Sequence, residues 1–445
     1  MDLLITIGQL ILSLSILIVL HEFGHFLPAR LFGTRVEKFY LFFNWPSHLF
    51  KKKIGDTEWG IGMLPLGGYV KISGMMDESM DKEQMAQPPQ PYEFRSKPAW
   101  QRLIIMLGGV TVNFILGFFI YAMVLWVYGD KYLPAERAEY GIYVDSLGTE
   151  LGLQTGDHIL AVGNQPFDRF NPRAVMRGIV LDDAKTITVN RAGKEVVVDV
   201  DNSWTDILTR NENKNYPLFT LRIPFVVGEI AEGSPAQAVG LQTEDEIVAV
   251  DGQEVQFFDQ FIDMVKGRPQ ETVVLSLRRD GELMEENIIL NDNSKIGVRP
   301  APGEYFFDFE REDYSLSQSI PMGVQKGWSF LGDQINAFGM MFAGDIKVTE
   351  SLGGMGSIAG MFGATWNWER FWLMTAALSL ILAFMNLLPI PLLDGGHVVF
   401  LLYEAVSGKK PSDKFMEYAS YIGFVLVISL LLFANGLDFW RWLKG

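Results

Sequence analysis

Four stretches of this chain are too long and too apolar to be left in water, and they decide what it can fold into. A helix of about 20 mostly apolar residues crosses the hydrocarbon core of a bilayer. Residues 3–20, 103–127, 371–388 and 418–437 each fit that length, and none of them contains a charged side chain. The first could pass for a signal peptide, but Asp2 stands where a basic segment would be and no small-residue cleavage site follows, so it reads as a retained span. The expected fold class is an α-helical polytopic membrane protein of four transmembrane helices, in contact with the lipid bilayer over most of their surface.

Basic residues orient the spans. Arg30, Arg35, Lys38, Lys51, Lys52, Lys53, Arg95, Lys97 and Arg102 lie between the first two, and Lys409, Lys410 and Lys414 between the last two. Lys and Arg concentrate on cytoplasmic loops. Both connections are therefore expected inside, with the long segment from about residue 129 to 370 on the other face. Over the whole chain acid exceeds base, 53 Asp and Glu against 37 Lys and Arg, a net charge of −16. A chain of that sign has no broad basic surface for phosphate backbones, so no nucleic-acid partner is expected. There is no cysteine, which excludes a disulfide framework, Cys-ligated zinc and a thiol nucleophile; any metal must be held by carboxylates and by the five histidines.

The long extramembrane segment contains a repeat. Gly152-Leu-Gln-Thr-Gly-Asp-His-Ile-Leu-Ala-Val162 returns 88 residues later as Gly240-Leu-Gln-Thr-Glu-Asp-Glu-Ile-Val-Ala-Val250, sharing Gly-Leu-Gln-Thr, the Asp, the Ile and the closing Ala-Val. Each copy reads as a turn whose Asp bonds nearby backbone N–H groups, followed by an alternating strand. The copies resemble bacterial PDZ domains. Ser234-Pro235-Ala236, Gly240-Leu241, Asp245 and Asp251-Gly252 make the second the fuller match, while the first lacks the Ser-Pro-Ala element. That resemblance implies two inserted PDZ-like α+β domains, which either capture peptide carboxyl termini by strand addition or act as bulky gates over the membrane region.

The chemistry is carried by His21-Glu22-Phe23-Gly24-His25. At about 100° per helical residue, the two imidazoles lie about 40° apart on one face with Glu22 inside the same arc. They can hold one Zn²⁺ while the carboxylate takes a proton from its water. Snorkelling polar residues at a helix end would explain the same letters, but the run continues into Phe26, Leu27 and Pro28, so these groups sit at membrane depth, where unpartnered polar side chains are costly. A third ligand is required. The segment Asn386-Leu-Leu-Pro-Ile-Pro-Leu-Leu-Asp-Gly-Gly-His397 offers Asp394 or His397, and Pro389 and Pro391 must unwind the third span there.

Together these elements resemble the site-2 protease family of intramembrane zinc metalloproteases, in its bacterial regulator-of-sigma-E branch with two PDZ domains. The resemblance spans nearly the whole chain and includes Pro65-Leu-Gly67-Gly68-Tyr-Val-Lys71 in the first loop. Two elements depart from the family: Gly109-Val110-Thr111-Val112-Asn113 stands where Gly-Pro-x-x-Asn is usual, and residues 45–53 lack the Gly-Phe-Gly pattern expected there. The resemblance implies that His21, His25 and Asp394 bind zinc, that Glu22 is the general base, and that Asn386, Pro389 and Pro391 contact substrate. It also implies cleavage within or near the spans of single-span membrane proteins, such as an anti-sigma-factor remnant or leftover signal peptides, in a bacterial inner membrane. The active site would lie near the cytoplasmic side and the PDZ domains in the periplasm.

Residues 60–72, with Gly67 and Gly68 at a bend, could pair with an unwound substrate. The expected organisation is 1–128 for two spans and the zinc motif, 139–210 and 222–303 for the PDZ-like domains, 315–350 for amphipathic helices at the outer interface, and 371–445 for the last two spans. A membrane metal-ion transporter and an inactive PDZ scaffold are the alternatives. The first would want more polar residues along its path, and the second gives Glu22 no purpose.

Overall fold

The computed structural model describes residues 2–65, 67–75, 88–180, 182–209, 217–343 and 348–444. Leu66 of the first-loop motif, residues 181 and 210 of the first expected PDZ-like domain, and 344–347 of the expected interfacial linker lie outside the described residues. The chain divides into two compact units, one of residues 1–129 with 313–440, the other of residues 130–312 with 441–445.

The first unit opens with α1 (Asp2–Leu31), a 30-residue helix that runs through the His-Glu pentad. At 1.5 Å per residue it is about 45 Å long, more than a bilayer core requires, which puts the pentad toward one end of the span. Pro28 lies inside it and removes the bond that Gly24 O would have accepted. Four strands follow: β1 (Val36–Leu41), β2 (Phe43–Ile54), β3 (Thr57–Leu64) and β4 (Tyr69–Ile72). Their order in the sheet is β2-β3-β1-β4, with β1 parallel to β3 and antiparallel to β4, so β4 lies at an edge. The stretch 60–72, expected as one strand-like run, is thus divided between β3 and β4.

The helix α2 (Ala99–Tyr128) is the hub of this unit. After the second unit the chain returns as α3 (Leu316–Ala343), the short α4 (Met355–Phe362), α5 (Trp368–Leu387), α6 (Asp394–Ser407) and α7 (Asp413–Lys444). Among the described residues four helices are long and apolar enough to cross a membrane: Leu4–Leu31, Ala99–Tyr128, Trp368–Leu387 and Lys414–Leu443. Ile120, Tyr121 and Val124 of α2 form one core with Leu331 of α3 and with Ala376 and Leu380 of α5. A second core joins Ala29, Val36, Ile72, Ile105, Met106, Val398 and Leu401, so α6 is seated on α2 beside the end of α1 and the sheet. Buried hydroxyls are satisfied across helices, Ser13 with Thr375 at 2.9 Å and Ser379 Oγ donating to Asn113 O at 2.7 Å, as polar side chains are in a medium without water.

The amphipathic segment expected over 315–350 begins with α3. It packs lengthwise on α2, its Gly323 against Ala122 and its Gly327 against Phe118, and Phe338 stacks on Phe384 of α5 with centroids 6.0 Å apart. The two glycines admit a neighbouring helix at close range, a reason that hydrophobic patterning alone does not reveal.

The second unit repeats its topology as it repeats its sequence. One half has a sheet in the order 194–199, 186–191, 158–162, 165–166; the other has 282–289, 272–279, 246–250, 253–254 in the same order. Each half carries its own apolar core, around Val175, Ile187 and Val189 in one and Val273, Leu275 and Ile288 in the other. One electrostatic device is also duplicated. Arg191 grips the buried Asp157 through two bonds of 2.8 Å and donates to Gly152 O at 2.9 Å; Arg279 grips Asp245 at 2.7 and 2.6 Å and donates to Gly240 O at 3.1 Å. All three pairs of counterparts are 88 residues apart. Asp145 of the first half accepts from Gly148 N and caps a helix there, as Ser234 does in the second by accepting from Gln237 N. The missing Ser-Pro-Ala is therefore replaced by a residue of equal capping power.

Candidate metal centre

The pentad meets α2 and α6 at a point where glycine removes every obstacle. A Cβ on Gly108 would overlap Gly24 O, the carbonyl that Pro28 leaves without its helical donor. A Cβ on Gly109 would overlap His25 Nε2 and lie 2.6 Å from His21 Cε1. The missing side chains thus let the backbones of α1 and α2 touch and let both imidazoles lie directly against Gly109. The sequence displays Gly24, Gly108 and Gly109, but nothing local says that they meet.

Each imidazole is oriented from behind. His25 Nδ1 donates to Ile105 O at 2.8 Å, which leaves Nε2 as the lone-pair nitrogen. Asn113 holds His21 on its Nδ1 side, Nδ2 lying 3.2 Å away, while Asn113 Oδ1 is buried without a hydrogen-bond partner. A half-turn of that amide lets Oδ1 accept from Nδ1–H, which satisfies both groups and makes Nε2 the lone-pair nitrogen here as well.

Asp394, the first residue of α6, completes the set. Helix α5 ends at Leu387, residues 388–393 have no helical structure, and α6 begins at the carboxylate, so the proline break works as the sequence reading expects. Asp394 Oδ2 is buried, makes no hydrogen bond, and lies 3.4 Å from His21 Nε2 and 3.3 Å from His25 Nε2; the two nitrogens are 3.3 Å apart. Three acceptor atoms in an equilateral triangle, with no proton to share, repel one another unless a cation sits among them. Ligands at about 2.0–2.1 Å in a tetrahedron are about 3.3–3.4 Å apart, the spacing found here. Among the described residues these three form the one group of His, Asp and Glu fit for a metal ion, and His397 is not part of it.

Glu22 is 9% exposed and stands beside this triangle. Gly68, just before β4, is pressed against Ile18 and the backbone of Tyr40, with Glu22 Cγ 3.7 Å from where its Cβ would be. Gly67 faces the ring of Phe43 instead. Tyr40 closes this wall by donating to Glu58 Oε1 at 2.7 Å; burial first, and then that carboxylate, push its phenol above the ordinary range. Asn386 brings its amide within 3.3 Å of His21 Nε2. Pro389 and Pro391 lie in the unwound strap before Asp394, and Pro391 O is packed against Gly423 of α7. The structure thus gathers His21, Glu22, His25, Asp394, Asn386 and Gly68 at one place, with the prolines in the strap and Gly67 one step away.

The family model of peptidase family M50 matches residues 9–430. The chain is 30% identical to the regulator of sigma-E protease RseP of Escherichia coli over 98% of each chain. It is 28% identical to a regulator of sigma E protease of Haemophilus influenzae, over 99% of this chain and all of that one. A Neisseria meningitidis protein named as a zinc metalloprotease is 28% identical over 96% of this chain and 97% of its own.

Proposed function

The chain belongs to peptidase family M50, the site-2 proteases, and on that premise we propose that His21, His25 and Asp394 hold its zinc while Glu22 acts as general base on single-span membrane proteins. It is a zinc metalloendopeptidase and a multi-pass membrane protein. The observation that carries the assignment is the 3.3–3.4 Å triangle of acceptor atoms, closed by a buried carboxylate oxygen that no donor reaches.

Zinc bound there lowers the pKa of a water toward 7 and polarises a carbonyl. Glu22 takes the attacking water's proton and returns it to the leaving amine, which requires a carboxylate that is held in place yet ionised when the water arrives. A transmembrane helix hides its carbonyls in its own hydrogen bonds, so the substrate must be extended before cleavage. The edge strand β4 offers a template for it, Gly68 leaves room beside Glu22, Asn386 reaches the freed backbone, and the strap containing Pro389 and Pro391 lines the approach. Gly67 shapes the bend.

The substrates we infer are membrane-bound remnants, such as an anti-sigma factor already cut outside or a leftover signal peptide, cleaved within a bacterial inner membrane near its cytoplasmic side. The two halves of the second unit are read as periplasmic PDZ-like domains that bind peptide carboxyl termini or refuse bulky ectodomains. Support for this comes from their duplicated topology and from the basic residues between the first two spans and between the last two.

Glu22→Gln is the test. The variant should keep its zinc and lose cleavage of a single-span reporter by about 10²–10⁴-fold, since an amide cannot accept the proton. Cleavage at the wild-type rate would remove Glu22 from the mechanism.

A further inference from the structure

At the end of α6 remote from Asp394, a buried ion pair joins α6 to α2. Arg102 Nη2 donates to Glu404 Oε1 at 2.5 Å, with side chains only 8% and 13% exposed, and Arg102 Nε is fixed on Lys97 O at 2.9 Å. Resting on the ligand reading above, we propose that Arg102–Glu404 is a register pin: it fixes how far along α2, and at what rotation, α6 is seated, and so places Asp394 against His21 and His25. Arg102 and Glu404 are positioning residues for the zinc site.

The helical stripes make the connection. Asp394, Val398, Leu401 and Glu404 follow one side of α6 at intervals of 4, 3 and 3 residues, while Arg102, Ile105, Met106 and Gly109 follow one side of α2. Val398 and Leu401 pack with Ile105 and Met106; Ile105 O holds His25, and Gly109 lies beneath both imidazoles. The two helices thus form a bracket, clamped by charge at one end and, about 15 Å away along α6, carrying Asp394 and bearing on both imidazoles at the other.

The middle of the bracket is aliphatic and tolerates sliding. At the near end Gly395 is pressed on the carbonyls of Leu387, the last residue of α5, and of Leu388, and Gly396 on Ile390 and Pro391, so that end follows the strap, and the far end of α6 is fixed on α2 by the ion pair. A slip of one residue would shift Asp394 by about 1.5 Å and rotate it by about 100°, whereas metal ligands tolerate about 0.2 Å. A buried ion pair adds little stability over well-packed apolar groups, but it specifies one register.

The test therefore separates stability from placement. In the full-length protein in lipid nanodiscs, the double variant Arg102→Met/Glu404→Met should melt at or above the wild-type temperature, because packed apolar side chains replace a desolvated pair. Its zinc affinity, read by competition with a chelator, should fall about 10–100-fold, and the visible absorption of the cobalt-substituted protein should change. Glu404→Asp keeps both charges but retracts the pin by one methylene, and should lower zinc affinity several-fold with its own cobalt spectrum. Wild-type affinity and spectrum in either variant would overturn the pin. Asp394→Ala tells that failure from failure of the ligand reading: zinc held at wild-type affinity there would show that Asp394 is not a ligand and that the pin has nothing to place.

Discussion

Buried aspartates occur in both units, and their surroundings are opposite. Asp245 is met by a two-pronged Arg279 and by Gln242 N–H at 2.8 Å, and Asp157 by Arg191 and by Gln154 N–H at 2.9 Å. Asp394 keeps its Oδ2 buried although the side chain is 15% exposed, and that oxygen meets only imidazole nitrogens whose protons are engaged elsewhere or absent. A buried carboxylate with its donors in place is a structural bolt; one that faces other acceptors is half of a site whose positive charge must come from outside the chain. The contrast distinguishes function from architecture without reference to any relative, and each of its terms can be broken separately.

The largest effect is expected at the imidazoles. Gly109→Ala adds one methyl that must displace both rings, and zinc affinity should fall by about 100-fold or more while the second unit, tested by limited proteolysis, stays intact. Wild-type zinc affinity would mean that the close contact at Gly109 does not place the ligands. Next come the bolts. Arg191→Ala or Arg279→Ala leaves a buried, unpaired carboxylate and should cost about 3 kcal/mol, read as lower denaturant resistance of the second unit at unchanged zinc content. Loss of zinc in either would erase the distinction between the two kinds of aspartate. The caps should matter least: Asp145→Ala and Ser234→Ala are each expected to cost about 1 kcal/mol, with Asp145→Ser close to neutral. A much larger loss in one alone would show that the halves are not equivalent in build.

The legible part of this molecule is what local spacing encodes. Two histidines four residues apart declare a shared helix face, and prolines at 389 and 391 declare a break just before a carboxylate. What escaped depends on who meets whom. Gly24 and Gly108 touch across 84 residues, and Arg102 meets Glu404 across 302. Neither pair leaves a local pattern.

Arg191 and Arg279 could have been found, because carrying the repeat beyond Val162 and Val250 places them at the same 88-residue offset as Asp157 and Asp245. Asp145 was hidden because it performs Ser234's task from one position outside the 88-residue offset, which falls on Ser146. The segment 315–343 shows a third kind of limit, since an apolar face suits a lipid interface and a helix groove equally well. Only its glycines, which admit α2, distinguish them.

The central claim is that Asp394, and not His397, completes the metal centre with His21 and His25. Zinc stoichiometry of the purified Asp394→Ala and His397→Ala variants tests it directly. The account predicts loss of most zinc from Asp394→Ala and one zinc per chain in His397→Ala; full zinc in the first with loss from the second would contradict it.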